Sequence, residues 1–415
     1  MLVTIPAIAA RTVFELEQPA LASVIFGIGI VGAAFLLAWA AEAAQTMISA
    51  GLAIAAVALL TILPEYAVDM TFAWKAGADP GLEAYLQGGP EPAAFALPAA
   101  NLTGANRLLS GLGWPVVILL FWLRSRRPVQ LTPAVTPEIV VLGLAALYSG
   151  WMFWRSEIAL YDAAVLFILF VTYLWLVSRT GENEEVELLG PPAEIVKLRS
   201  GTRRAVIGAL FVFAAIVVVA CAEPFADGLI HTGDRFGIDE FILVQWIAPL
   251  ASEAPEFLVA IIFTLRGNPV FGMTALISAA VNQWSLLVAS LPVVFSISAG
   301  HALALPLDDR QQAEVFLTAA QIVFAVILIA KLRIGWAGAS ALIILFLLNL
   351  FLNTTRDRYL MGVAFLVLSA LTLIVDRDHV RAVRDRIAGF AEMVRERAGI
   401  AGPPESPVHG KAPEK

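Results

Sequence analysis

Two acidic side chains stand inside a stretch of sequence that is otherwise apolar enough to lie in a membrane. The stretch IAPLASEAPEFLVAIIFTL carries Glu253, Pro255 and Glu256, and two amides, Asn282 and Gln283, follow in the next apolar run. An ionised carboxylate inside a bilayer is costly unless a proton or a cation neutralises it. Two carboxylates within one helical turn therefore indicate a site for a positively charged ligand.

The same arrangement occurs earlier in the chain. Thr61-Ile-Leu-Pro-Glu65 matches Ser252-Glu-Ala-Pro-Glu256, and each motif precedes an apolar run that contains an asparagine and then Pro-Val-Val. A proline inside a helix frees the carbonyl four residues before it, and the hydroxyl shares a helical face with the glutamate. Such oxygens are the ligands of hard cations, here Na⁺ or Ca²⁺. We interpret the motifs as two half-sites of an internal repeat.

Structural roles are the alternative for these acidic residues. Glu65 and Glu256 would then pair with an arginine or stay protonated inside the bundle, although their symmetry argues against this. Glu253 has no counterpart in the first motif, and either adds a ligand, holds a proton or faces water. Asp69, one turn beyond Glu65, is either an auxiliary acid or a residue at the rim of the site.

The neighbouring polar residues also have two interpretations. The amides are Asn101, Asn106, Asn282 and Gln283. Hydrogen bonds between helices explain buried amides as well as ion binding does. Arg107 corresponds in position to Gln283, and is either a built-in cation that replaces one bound ion or an arginine paired with an acid elsewhere.

The composition identifies the class of protein that holds these motifs. Of 415 residues, 59% are hydrophobic and 15% are charged, whereas a soluble protein has about 25% charged residues. Eleven apolar runs approach the length of about 20 residues that a helix needs to cross a bilayer. The runs cover residues 21–41, 48–74, 92–123, 137–154, 158–177, 205–226, 241–265, 270–297, 313–330, 336–352 and 359–375. We predict an all-α polytopic membrane protein with about 11 transmembrane helices.

Loop charge predicts the orientation of these helices. Basic residues follow the third, fifth, seventh, ninth and eleventh runs, and most linkers after even-numbered runs are poorer in Lys and Arg. The positive-inside rule then puts the N-terminus outside and the C-terminus in the cytoplasm, and we predict a bacterial inner membrane. The two glutamate motifs enter this membrane from opposite sides, so the chain is predicted to contain two inverted-topology repeats.

Polar segments divide the chain. Residues 1–20 are predicted to be a short exposed or interfacial lead-in, and residues 21–178 the first transmembrane half. Residues 179–204 form a cytoplasmic linker, 205–376 the second half with an extra helix, and 377–415 a charged cytoplasmic tail. The helical part of the tail either lies on the inner leaflet or is solvated.

Other function classes lack support. The single cysteine, Cys221, permits no internal disulfide, the histidines form no zinc pattern, and no basic stripe suggests nucleic acid. Because no nucleophile motif or phosphate-binding loop is present, we predict that the protein is not an enzyme. We predict no cofactor, and expect inorganic cations and the lipid bilayer as partners, with no sequence signal for an oligomeric state.

The motifs resemble the membrane region of the sodium/calcium exchanger family, in the cation/Ca²⁺ antiporter superfamily, and the chain looks like a divergent bacterial-type member. The family repeat has Gly-Thr-Ser-x-Pro-Glu, then Lys/Arg-Gly, then Gly-Asn-x-x-Gly-Ser-Asn. The first repeat matches through Thr61, Pro64 and Glu65, and through Asn101-Leu-Thr-Gly-Ala-Asn106. The second matches through Pro-Glu256 and the Arg-Gly that follows its helix.

The resemblance implies a cation site made by the repeat glutamates, the hydroxyls and the amides of the next helix. The ligand candidates are Glu65, Glu256, Thr61, Ser252, Glu253, Asn106, Asn282 and Gln283, with Asp69, Asn101 and Arg107 as candidate modulators. The chain departs from the family pattern where Ile62 and Glu253 replace the family serine.

We therefore predict a secondary active antiporter that exchanges Na⁺ or Ca²⁺ against H⁺ or Na⁺ by alternating access at a midplane carboxylate site. An uncoupled cation channel is the main alternative, and an intramembrane enzyme that uses paired acids is a distant one. Gradient-driven uphill uptake of a cation distinguishes an antiporter from a channel.

Overall fold

The computed structural model describes residues 1–12, 18–47, 63–178, 188, 190–352 and 354–399, and these are almost entirely helical. Helices dominate because every backbone N–H and C=O in hydrocarbon must find its partner within the protein. The helices are α1 (Ile5–Thr12), α2 (Pro19–Gln45), α3 (Leu63–Gly77), α4 (Leu82–Leu86), α5 (Ala96–Leu108), α6 (Trp114–Ser125), α7 (Thr136–Arg155), α8 (Leu160–Val177), α9 (Pro191–Val196), α10 (Ser200–Phe236), α11 (Glu240–Leu265), α12 (Pro269–Asn282), α13 (Val288–Ala299), α14 (Asp309–Ile329), α15 (Trp336–Asn349), α16 (Thr355–Val375) and α17 (Arg377–Arg397).

The chain is an integral membrane protein. Within the described residues, 9 helical segments are long and apolar enough to cross a membrane. The predicted number of eleven is not confirmed, for two local reasons. The run 48–74 lies partly outside the described residues, and α15 has 14 residues, fewer than the roughly 20 that a straight crossing needs.

Local chemistry sets several helix boundaries. The carboxylate of Asp308 accepts the Gln311 N–H (2.7 Å) and caps α14. At the start of α12, Asn268 has the same role and a proline follows at the first helical position. Gly237 and Gly300 end α10 and α13 in the left-handed conformation that glycine adopts without strain.

The two repeats share an unusual feature in the helix that follows each glutamate motif. A π-helical segment of 5 residues, Leu109–Gly113, joins α5 to α6. In the second repeat, Gln283–Leu287 joins α12 to α13 in the same way. Such π-segments are rare and frequently occur at functional sites. Both therefore mark the part of each repeat where the site is expected.

Two short strand pairs group the linkers at opposite ends of the helix bundle. β1 (Val129–Gln130) pairs with β4 (Arg333–Ile334), and β2 (Glu157–Ile158) pairs with β3 (Leu305–Pro306). The loop charges predict both linkers of the first pair to be cytoplasmic and both linkers of the second pair to be external. The predicted alternation of helix direction therefore agrees with the way in which the linkers pair.

The terminal segments pack against this bundle. The N-terminal segment forms α1, with Thr4 and Ala7 fully buried, so one side of the predicted lead-in is covered. At the other terminus, Arg386 of α17 donates to the Thr136 hydroxyl (2.9 Å) and Arg397 donates to the Trp175 carbonyl (2.7 Å). The α17 helix therefore lies across the ends of α7 and α8.

A glycine sets the distance between α5 and α11, the two helices that bring the repeats together. Pro249 has no N–H to donate to the carbonyl of Gln245, four residues earlier. A methyl group at Gly104 would lie 1.8 Å from the oxygen of that carbonyl. The missing side chain therefore permits a close approach of α5 to a backbone oxygen that the proline has freed.

We expect Gly104→Ala to destabilise the protein, because the added methyl forces these helices apart. Overpacking in a close-packed interior costs about 1–3 kcal/mol, and backbone contact of this kind falls at the upper end. The thermal unfolding midpoint of the detergent-solubilised protein measures the effect. Gly143→Ala is the matched control, since its methyl would meet Val326 at an ordinary 3.5 Å. Equal midpoints for the two variants would contradict the expectation.

Candidate functional site

The two repeat glutamates lie inside the bundle and near each other. Glu65 follows Pro64 at the start of the described part of α3, and is 3% exposed. Glu256 follows Pro255 within α11, and the two carboxyl groups are close enough to interact electrostatically. Each carboxyl group also interacts with its own backbone N–H. The remaining oxygen, Oε2 in both cases, is buried without a hydrogen-bond partner.

Two further carboxylates belong to this cluster, and each is held by an amide. Asn101 donates to Asp69 (Nδ2 to Oδ1, 2.7 Å), and Gln283 donates to Glu253 (Nε2 to Oε1, 2.9 Å). Both acids are fully buried, and Glu253 interacts electrostatically with Asp69 as well as with Glu256. In each repeat, therefore, an amide of the second helix orients an acid of the first.

The orientation of the helices places both additional acids toward the same end of the bundle. The Trp74 carbonyl, near the end of α3, accepts a hydrogen bond from Ser298, close to β3. Asp239, at the start of α11, pairs with Arg310, also close to β3. Since α3 runs toward this end and α11 runs away from it, Asp69 lies beyond Glu65 on that side. Glu253 likewise lies beyond Glu256 on that side.

The hydroxyl candidates are only partly described. Thr61 and Ile62 lie outside the described residues. Ser252 is buried, and its hydroxyl donates to the carbonyls of Ala248 (3.2 Å) and Pro249 (3.3 Å). The oxygen lone pairs of Ser252 remain free to accept or to bind a cation.

The carboxylates of the cluster do not converge on one point. Among the described residues, no three His, Cys, Asp or Glu side chains come close enough together to hold a metal ion.

Two of the asparagine candidates are buried beside the cluster. Asn106 donates to the Leu102 carbonyl in its own helix (3.1 Å), and its Oδ1 is buried without a hydrogen-bond partner. Asn282 is also buried and directly precedes the π-segment that begins with Gln283. The Asn106 oxygen is therefore available to a ligand from the second helix of the first repeat.

Arg107 points away from this cluster and into a separate ionic network. Its guanidinium lies 2.7 Å from Glu314 of α14 and 5.1 Å from the centre of the Trp246 ring. Glu314 also pairs with Arg358 of α16, and Gln321 donates to the Arg107 carbonyl (3.1 Å). Of the two interpretations of Arg107, pairing with an acid elsewhere is the one that describes this geometry.

Sequence reasoning missed Glu314 and Arg358. Glu314 is fully buried and Arg358 is 6% exposed, so both are charged groups inside the bundle. A signal was present, because Glu314 lies within the predicted apolar run 313–330 and ionisable residues in such runs are rarely without a role. The network ties α5, which carries Asn101 and Asn106, to α14 and α16.

We expect Glu314→Gln to be strongly destabilising, because it leaves two buried arginines without their counter-charge. Removing one partner of a buried ion pair costs about 3–5 kcal/mol. Chemical or thermal unfolding in detergent measures the loss. Asp239→Asn is the control, because it also replaces a carboxylate by an amide. Its ion pair with Arg310 is partly exposed and contributes about 1 kcal/mol or less. A Glu314→Gln protein as stable as the control would contradict the assigned role.

Comparisons with known proteins agree with this architecture. The sequence profile of the family described as sodium/calcium exchanger protein matches residues 19–179 and 206–355. The crystal structure of the H⁺/Ca²⁺ exchanger CAX is 38% identical in sequence, covers 95% of this chain and 96% of its own, and has a TM-score of 0.88. No protein matches in a search of curated sequences.

Two more distant structures share the fold. The sodium-calcium exchanger NCX_Mj is 15% identical, covers 81% of this chain and 98% of its own, and has a TM-score of 0.51. The protein YfkE is 13% identical, covers 88% of this chain and 98% of its own, and has a TM-score of 0.59. The family profile covers well over half of the chain. The chain therefore belongs to the sodium/calcium exchanger family and is a cation/Ca²⁺ antiporter, not an enzyme.

Proposed function

We propose that the protein exchanges Ca²⁺ against H⁺, with Glu65 and Glu256 as the carboxylates that carry the transported cation. The observation that carries this proposal is the pair of unpartnered, buried carboxylate oxygens, one from each inverted repeat. Two carboxylates in a low-dielectric interior must be neutralised. One Ca²⁺ or two protons satisfy the same pair, so binding of one cargo requires release of the other.

The surrounding side chains favour protons over Na⁺ as the counter-ion. A Na⁺ site can be built from neutral oxygens such as hydroxyls, which bind the ion without a change of protonation. This chain lacks two such hydroxyls, because Ile62 and Glu253 replace the family serine. The extra groups near the pair are instead the carboxylates Asp69 and Glu253, which bind and release protons. The similarity to the H⁺/Ca²⁺ exchanger CAX supports the same counter-ion.

Alternating access follows from the placement of the pair between two repeats. Glu65 lies on α3 directly after Pro64, and Glu256 lies on α11 directly after Pro255, which removes a hydrogen bond within that helix. A relative movement of the repeats would open the pair first to one side and then to the other. Ser252, Asn106, Asn282 and Gln283 would supply neutral oxygens in the Ca²⁺-bound state, and Thr61 is proposed as the partner of Ser252.

The proposal includes about 11 membrane-spanning helices and the orientation that loop charge predicts. In a bacterial inner membrane, the N-terminus would be outside and the β1–β4 end of the bundle, with α17, would be cytoplasmic. An exchanger in this orientation would use the inward proton gradient to expel Ca²⁺. Na⁺ remains the alternative cargo or counter-ion, and an uncoupled channel the alternative mechanism.

We expect Glu65→Gln and Glu256→Gln each to lower Ca²⁺ uptake into proteoliposomes by about a hundredfold or more. A lost charged ligand in a buried site costs about 3 kcal/mol or more, and each 1.4 kcal/mol is about tenfold in affinity. Glu83→Gln, an exposed carboxylate on α4, serves as the control. Unchanged flux in both site variants would overturn the assignment.

We expect a pH gradient to drive Ca²⁺ accumulation against its gradient, whereas a Na⁺ gradient should not. Apparent Ca²⁺ affinity should fall as the pH falls, since protons compete for the same carboxylates. Uptake of radiolabelled Ca²⁺ into proteoliposomes that contain a pH-sensitive dye measures the movement of Ca²⁺ and of protons together. Accumulation driven equally by a Na⁺ gradient would support Na⁺ coupling, and Ca²⁺ flux that never exceeds equilibrium would indicate a channel.

A further inference from the structure

A cavity lies at the β1–β4 end of the bundle, opposite the end toward which Asp69 and Glu253 lie. Its volume is about 350 Å³. Its lining comes from the end of α6, the linkers on either side of β1 and β4, the start of α15 and the start of α17. The lining residues are Trp122, Pro128, Lys331, Arg333, Trp336 and His379, with Gly335. None of these belongs to the transport site.

Positive charge dominates this cavity. Lys331 and Arg333 line it, and the Arg126 guanidinium stacks over the Trp122 ring at 4.5 Å. Arg333 is exposed and forms no ion pair with any residue in the described part of the chain. Beside the cavity, Asp376 pairs with Lys331 (2.8 Å), and Asp378, which interacts electrostatically with His379, pairs with Arg381 (3.2 Å). Both of these carboxylates are therefore already paired, whereas Arg333 has no such partner among the described residues.

Both oxygens of the Asp376 carboxylate already have partners within the protein. Its Oδ1 accepts the Asp378 N–H and caps α17, and its Oδ2 contacts both Lys331 and the His379 ring (3.0 Å). The hydrogen bond from Lys331 holds the pKa of Asp376 below its usual value, so the group stays ionised. Burial, together with the charge of Lys331, lowers the pKa of His379, so the ring is a neutral hydrogen-bonding group at pH 7.

Two tryptophans place the cavity at the level of lipid headgroups. Trp122 and Trp336 lie 5.7 Å apart between ring centres, and Trp336 is 52% exposed. Trp122 is near the end of apolar helix α6, and Trp336 begins apolar helix α15. Tryptophan is enriched where apolar helices meet the membrane–water interface. A cationic cavity bordered by such residues is open to an anionic group at the membrane surface.

We propose that this cavity binds the phosphate group of an anionic lipid headgroup. Basic pockets between transmembrane helices on the cytoplasmic side are suited to such headgroups, and each Lys or Arg adds to the attraction. Arg126 and Arg333 contact the phosphate, while Lys331 and His379 form the inner wall. The bound lipid would connect α6, α15 and α17 where β1 pairs with β4, and so secure the linkers that follow α6 and α14.

The test uses the full chain, purified in detergent, with phosphatidylglycerol, phosphatidylcholine or inorganic phosphate added. We expect native mass spectrometry to detect bound phosphatidylglycerol in preference to phosphatidylcholine. Affinity should fall about fivefold in Arg333→Gln and about thirtyfold in Arg126→Gln/Arg333→Gln. Inorganic phosphate at millimolar concentration should not displace the lipid, because it lacks the acyl chains that pack beside the tryptophans.

Arg204→Gln is the matched control, since it removes an exposed arginine at the predicted cytoplasmic end, outside the cavity. Unchanged lipid retention in this control, with loss in the cavity variants, supports the proposal. Equal losses in control and cavity variants would mean that general surface charge attracts the lipid, and would overturn it. Displacement by inorganic phosphate would also overturn it, because the cavity would then be a site for free phosphate. Arg333→Gln changes only an exposed side chain, so it stays informative if the double variant is unstable.

Discussion

The structure depends on the cost of negative charge in a low-dielectric interior. Four acids, Asp69, Glu65, Glu253 and Glu256, are gathered between the two repeats and interact electrostatically. Asp69 and Glu253 have side-chain amide partners. Among the described residues, the two fully or nearly fully buried arginines, Arg107 and Arg358, both pair with Glu314 instead. These two internal positive charges are therefore paired outside the cluster.

The helices that bear these acids are shaped for the same purpose. Pro255 removes a backbone hydrogen bond beside Glu256, and π-segments interrupt the helix that follows each glutamate motif. These defects would be expensive if they faced lipid, but inside the bundle neighbouring groups satisfy or approach the freed oxygens. Gly104, pressed against the Gln245 carbonyl, is one such approach. These irregular segments of the described chain therefore lie in the helices that carry or follow the repeat glutamates.

Much of the fold could be predicted from the sequence, because apolar length and loop charge are local signals. The paired glutamate motifs are also local and can be recognised directly in the sequence. The family membership that they predicted is confirmed. The number of spans was less secure, since α15 is a short apolar helix whose ends no local signal specifies. The partner of Arg107 could not be predicted from the sequence, because Glu314 follows it by some 200 residues and only helix packing brings the two side chains together. The pairing of Asn101 with Asp69 and of Gln283 with Glu253 depends on the same long-range packing.

The placement of Asp69 and Glu253 makes the two faces of the exchanger unequal. Perfect inverted symmetry would put one extra acid on each side of the central pair, yet both lie toward the end that holds β2 and β3. Asp69 and Glu253 therefore both lie between the central pair and that end of the bundle. None of the four acids of the cluster lies on the opposite side of the pair. The two repeats thus share one glutamate motif, but the acids around it differ between the two ends of the cluster.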